Sequence, residues 1–304
     1  MPDVCHDVAR LSSRIASLLV LACVVLVGKP LLAQEDPSGE WESKFHEDRM
    51  ERGPGPEIGD YTGIPLNNGA RFHADAYEAG IIGLAENTCK QNSADHAWRD
   101  PALLRISKEV DHDTQEVIAF HTHISMLAPE QTIYMDGRPH PPEYAPHATQ
   151  GFSTGKWEGD ILAFTTDHLK EGLIRWNGIP RSDKATLSTH LLRHENYLTV
   201  ALAIYDPVYL TEPLVRTIDF AYVPQQEIAP YPCDAVSETD LPEGTVPSHM
   251  PGTNEFLNEF PAKYGIPPEA ARGGADTMYP EYIDKLKTMK RLPRPAAPKP
   301  EPGK

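Results

Sequence analysis

The stretch ATLSTHLLRHENYLTVALAIYDPVYLTEPLVRTIDFAY, residues 185–222, decides the fold. It divides into three runs, Ala185–His194, Tyr197–Asp206 and Leu214–Tyr222, in which apolar and β-branched residues alternate with polar ones. That period belongs to a β-strand with one buried face. His194-Glu195-Asn196 is a tight turn between the first two runs, and two prolines, Pro207 and Pro213, force a bend before the third.

Working outward, the same pattern marks Leu103–Asp111, Glu116–Met126, Gln131–Met135, Gly151–Trp157 and Asp160–Thr166 as strands. Asp111-His112-Asp113, Asp136-Gly137 and Glu158-Gly159 are turn signals between them. Most neighbours are therefore expected to pair as antiparallel hairpins, with no room for parallel crossovers. Sequential hairpins without intervening helices imply a mainly β protein, an antiparallel up-and-down, lipocalin-like barrel, with a β-sandwich as the alternative.

This core is expected over residues 103–230. Residues 34–102 are rich in turn formers and read as an irregular wrapping segment with one helix, Asn68 to Leu84. Residues 231–292 read as loops with short helices at Thr253–Tyr264 and Pro280–Arg291, packed outside the barrel. Residues 293–304 have too few apolar groups to offset the entropy of ordering and are expected to be disordered.

The first 33 residues read as a secretory signal. Arg10 and Arg14 precede an uncharged, largely apolar run, Ile15 to Gly28, too short for an ordinary membrane span, and Ala33 suits a cleavage site. The mature chain then keeps two cysteines, Cys89 and Cys233, expected to form a disulfide in an oxidising periplasmic or extracellular compartment. The chain holds 28 Lys and Arg against 44 Asp and Glu, a formal charge of −16. Such acidity without a basic patch argues against nucleic-acid binding, and no membrane anchor is expected once the signal is removed.

Candidate chemistry concentrates in Tyr134-Met135-Asp136-Gly137-Arg138-Pro139-His140-Pro141-Pro142-Glu143-Tyr144-Ala145-Pro146-His147, a proline-stiffened loop between two strands. Asp136 and His140 are candidates for proton exchange, Arg138 for steadying an oxyanion and Tyr134 for orienting a substrate. Tyr144, His147, Trp157, Trp176, Asp206 and Tyr209 are candidate ligand-binding residues. His121 and His123 lie two apart on one strand face, a weaker metal-binding alternative that lacks a defined third ligand. No nucleophile-elbow, Walker A, H-E-x-x-H or dinucleotide-fingerprint motif occurs. No cofactor is expected.

Four stretches, Thr132–His140, Gly151–Asp160, Trp176–Asp183 and Asp206–Pro213, resemble a broad group of exported bacterial proteins of unassigned function. The resemblance implies export and leaves activity open. The expectation is an exported barrel acting on a small, partly apolar organic molecule by cofactor-free lyase, isomerase or hydrolase chemistry. The alternatives are a non-catalytic binder and a metal-assisted hydrolase built on His121 and His123.

Overall fold

The computed structural model describes residues 35–46, 55–78, 80, 88–235, 242, 244–245 and 247–293. The expected signal and cleavage site, the distal part of the Asn68–Leu84 helix and nearly all of the expected tail lie outside the described residues.

Nine strands close a barrel: β1 (Gly39–Ser43), β2 (Leu103–Val110), β3 (Val117–Ile124), β4 (Glu130–Tyr134), β5 (Phe152–Glu158), β6 (Ile161–Asp167), β9 (Thr186–His194), β10 (Tyr197–Tyr205) and β11 (Leu214–Tyr222). β7 (Gly172–Arg175) and β8 (Ile179–Arg181) form a separate two-stranded hairpin between β6 and β9. The barrel fold expected from the alternation is therefore present. The ninth strand comes from the supposedly irregular N-terminal segment. Only five residues long, β1 pairs with β2 on one side and β11 on the other and seals the gap between the ends of the meander.

The alternation read from residues 185–222 appears as burial. On β10, Leu198, Val200, Leu202 and Ile204 are fully buried while their neighbours face outward. Each such apolar side chain stabilises the fold by about 1.5–3 kcal/mol. They join Leu104, Ile106, Phe120, Ile133, Leu162, Leu191 and Phe220 in two clusters along the interior. Trp41, Leu104, Phe120, Ile133 and Leu162 keep no exposed surface at all, which an open ligand cavity beside them would require. The interior is packed protein.

One end is stopped by the chain itself. The run Asn92–Asp100, which includes the short helix α2 (Ala94–Ala97), is buried nearly throughout, and its Trp98 packs into the barrel core beside Trp41 and Leu104. Helix α1 (Asn68–Asp75) starts at Asn67, whose side chain accepts a hydrogen bond from the Ala70 amide at 2.9 Å. It buries Ala70 and Ala74 against Ile174, Ile179 and Leu202. The expected helix is shorter than its sequence pattern, because Tyr77 leaves it to bridge Ser248 and to pack on Gly178. Any side chain at Gly178 would stand 2.3 Å from Tyr77 Cβ, and its φ of +92° also demands glycine.

The expected C-terminal helices are present as a 3₁₀ turn (Glu255–Asn258) leading into α3 (Glu259–Tyr264), and as α5 (Tyr282–Thr288), with α4 (Pro268–Ala271) between. Leu257 joins the cluster of Tyr61 and Ile64. Cys89 and Cys233 form the expected disulfide, 144 residues apart.

One expectation fails. β4 and β5 pair in parallel, Ile133 with Ser153 and Tyr134 with Thr154, and every other barrel pairing is antiparallel. Asp136-Gly137 turns the chain, yet it opens a crossover rather than a hairpin. Residues 135–151 loop over the outside of the barrel and re-enter so that the start of β5 lies beside the end of β4. Because the two strands overlap by only two paired residues, the loop has to return little more than the rise of two residues, about 7 Å, and needs no crossover helix.

Candidate functional site

The crossover creates a recess on the outer wall. Gln91, Glu130, Thr132, Tyr134, Phe152, Lys170 and the returning chain from His147 to Gly151 line a groove of about 500 Å³. Tyr134 and Phe152 point outward from adjacent parallel strands, with ring centroids 5.3 Å apart. The Arg138 guanidinium lies 3.7 Å from the centroid of the Tyr134 ring, which fixes the ring as one wall.

The loop is fastened to the end of β6 by backbone and imidazole together. The Ala148 amide donates to the His168 carbonyl and the Lys170 amide to the Ala148 carbonyl, both at 2.9 Å. His147 Nδ1 stands 2.8 Å from the Leu169 carbonyl, which can only accept, so Nδ1 carries the proton and the neutral ring leaves Nε2 as an acceptor. His168 Nδ1 stands 2.7 Å from Asp167 Oδ1, and its Nε2 stands 3.0 Å from the Pro142 carbonyl. Both partners are acceptors, so the charged ring satisfies both. The hydrogen bond to Asp167 chiefly raises the basicity of His168 above the ordinary histidine value.

Asp167 also faces His140, whose Nδ1 lies 2.8 Å from the same Oδ1, although that oxygen sits off the ring's N–H direction. His140 Nε2 is 2.6 Å from Thr154 Oγ1, and its ring meets Phe152 edge-on at 5.4 Å. The Asp167 carboxylate thus stands between two imidazoles, hydrogen-bonded to that of His168, with His140 behind the Phe152 ring that lines the groove. Gly151 sets this geometry. With φ at +65° and no Cβ, it lets the start of β5 approach the Asp167 carbonyl, where an added carbon would stand 2.4 Å away.

Of the sequence candidates, Tyr134 and His147 line the groove, His140 stands behind it against Phe152, and Asp136 is paired elsewhere. Asp136 is held by Arg138 through Nε at 3.0 Å and Nη2 at 2.6 Å, and these bonds keep its carboxyl below the usual range. The carboxylate that faces His140 is Asp167, which the sequence reading passed over because it ends a strand and looks like part of a turn. Tyr144 is 93% exposed. Trp157 leans edge-on against Phe120, and Trp176 stacks on His96 at 5.0 Å, so neither lines the groove. Asp206 accepts from Ser182 through both amide and hydroxyl, and from the amides of Val208 and Tyr209. It pins a turn. Burial and nearby carboxylates raise the Tyr209 hydroxyl.

His121 and His123 face outward over a second hollow of about 380 Å³. His121 is held between Thr132 and Glu109, and His123 by Glu130 at 3.1 Å. Among the described residues no three His, Cys, Asp or Glu groups cluster as metal ligands would.

A different set of charges fills the plug. Arg181 and Asp95 are completely buried and joined at 2.8 Å, with Ser93 donating to the same Asp95 oxygen. Arg181 also donates to the Lys170 and Ser182 carbonyls, so the plug, β8 and the strap after β6 share one guanidinium. Asn92 donates to both oxygens of buried Asp100 at 3.0 Å. Burial, reinforced by Arg99, pushes the His96 imidazole down to about 3 and keeps it neutral. A composition mixing Asp, His, Trp and Arg with alanines in Ala94–Asp100 was the available sequence signal, and it resembles an exposed turn until the fold closes over it.

Fold and site together define a plugged, closed β-barrel with a polar groove on its outer wall. The chain matches no family model, no curated protein and no solved structure. None of the described helices is long and apolar enough to cross a membrane.

Proposed function

We propose that this chain is an exported barrel protein that binds a small, partly apolar organic molecule in the outer groove. Kinship with the exported bacterial proteins its motifs resemble belongs to the same proposal. The observation that carries it is the groove of about 500 Å³, within the range of ordinary small-molecule sites and walled by two aromatic rings with a few polar groups. The packed interior supports looking for the site on the outer wall rather than in the barrel lumen. The leader-like N-terminus and the Cys89–Cys233 bond support an oxidising compartment.

A screen of small aromatic and aliphatic compounds by thermal shift, followed by NMR, tests this. Binders are expected to perturb Tyr134 and Phe152, and Tyr134→Ala is expected to weaken them roughly tenfold, the worth of one aromatic contact. A screen in which no compound perturbs groove resonances overturns the proposal.

Catalysis is the second reading, favoured by His140 standing between Thr154 and Asp167 beside the groove. In this reading His140 moves the proton and Asp167 orients it. His140→Ala is expected to lower turnover by about 10²-fold with binding retained. Ligand binding without turnover in the wild-type protein defeats the enzymatic reading and leaves the binder.

A further inference from the structure

We infer that the groove selects a small aromatic carboxylate, with Lys170 as its counter-ion and the rings of Tyr134 and Phe152 as its platform. The inference rests on the groove being the binding site. It begins from charge. The chain carries −16 overall, so its general field repels an anion, and an anion binds only where a local cation outweighs that field.

Lys170 is such a cation. It lines the groove, and among the described residues no carboxylate is paired with its ammonium. Its backbone is fixed at both polar groups, the amide by the Ala148 carbonyl and the carbonyl by Arg181 Nη2 at 2.7 Å, so its stem leaves a rigid base. The groove's own acid, Glu130, is engaged by His123 on the neighbouring strand. Arg138, the other nearby cation, is committed to Asp136. At the Lys170 side of the groove a ligand carboxylate therefore meets an ammonium, while the Glu130 carboxylate is turned to His123.

The rest of the lining specifies what carries that charge. Two rings 5.3 Å apart, inclined by 31°, offer a platform for a flat apolar body. A volume of about 500 Å³ accommodates a single ring with a short substituent. His147 adds an acceptor. Its Nδ1 proton is committed to the Leu169 carbonyl, so Nε2 in the neutral ring can receive a hydroxyl proton from the ligand. A hydroxylated benzoate satisfies all three features.

The test measures affinity of the full mature chain for benzoate, benzamide and benzylamine, which share one ring and differ in charge. NMR shifts of Tyr134 and Phe152 locate the binding. Benzoate is expected to bind about fivefold tighter than benzamide, the worth of one partly exposed ion pair. That advantage is expected to vanish in Lys170→Gln and to shrink with added salt. 4-Hydroxybenzoate is expected to exceed benzoate in the wild type. Equal binding of benzoate and benzamide in the groove, tighter binding of benzylamine, or an advantage that survives Lys170→Gln overturns the inference while leaving the groove as a site. Absence of any groove shift with all the probes overturns the groove reading as well.

Discussion

The plug and the crossover are built from the same residue types and put them to opposite uses. In the plug, Asp95 and Arg181 face each other with no exposed surface, and His96 is held neutral between tryptophan and arginine. At the crossover, Asp167 meets His140 and His168 at the protein edge, where all three side chains keep some exposure. Burial separates the two. Removed from water, a charge must be matched by fixed partners and becomes a structural rivet; left at the edge, it stays free to titrate.

The strongest way to break this contrast is to strip a rivet. Asp95→Ala leaves Arg181 buried without its carboxylate and is expected to cost about 3–5 kcal/mol in urea unfolding. A loss under about 1 kcal/mol would place the plug among ordinary surface pairs. Next in size is the Cys89–Cys233 bond, whose reduction is expected to cost about 2–4 kcal/mol by releasing a long loop in the unfolded chain. Retention of the full unfolding free energy in reductant would mean that this tie is dispensable.

Acid sharpens the comparison. His96 titrates near 3 when folded and near the ordinary histidine value when unfolded, so the unfolded chain binds the extra proton first. Its contribution is complete above about pH 6.5 and declines as pH falls from there toward 3. His96→Gln is expected to flatten that slope in denaturation measured across the range. An unchanged slope would move the acid sensitivity to other groups.

His168 has the opposite sign. Its raised basicity means that its grip on Asp167 and Pro142 is complete below the ordinary histidine value and fades as pH rises through its elevated one. An NMR titration is expected to find His168 above the ordinary value, with the 135–150 loop exchanging amide hydrogens faster once the ring is neutral. A value at or below the ordinary one refutes the latch. The smallest effect belongs to Asp136→Asn, expected to leave the urea unfolding midpoint nearly unchanged, because an exposed pair is worth little.

How much was legible depended on the range of the interactions involved. The β10 alternation is a property of adjacent residues, and Leu198 to Ile204 point inward as their spacing requires. Strand β1 carries one inward anchor, Trp41, in five residues, too short a signal to read without its partners. The parallel pairing of β4 and β5 is likewise invisible locally, because Asp136-Gly137 looks the same whether the chain folds back into a hairpin or departs on a crossover. In the site, Tyr134, His140 and His147 were legible as an unusual loop. Asp167, His168 and Lys170 were not, since they follow an ordinary strand and acquire meaning only when the loop lands on them.

By itself, the sequence determined the barrel's eight principal strands and the pairing of two cysteines, because periodicity and residue type act over a few neighbours. Tertiary structure alone decided which strand closes the barrel, that the interior is filled, and that the groove lies outside. Those outcomes depend on which distant surfaces meet. A side chain such as Asp95 or Asp167 becomes a buried rivet or an accessible partner only according to what covers it.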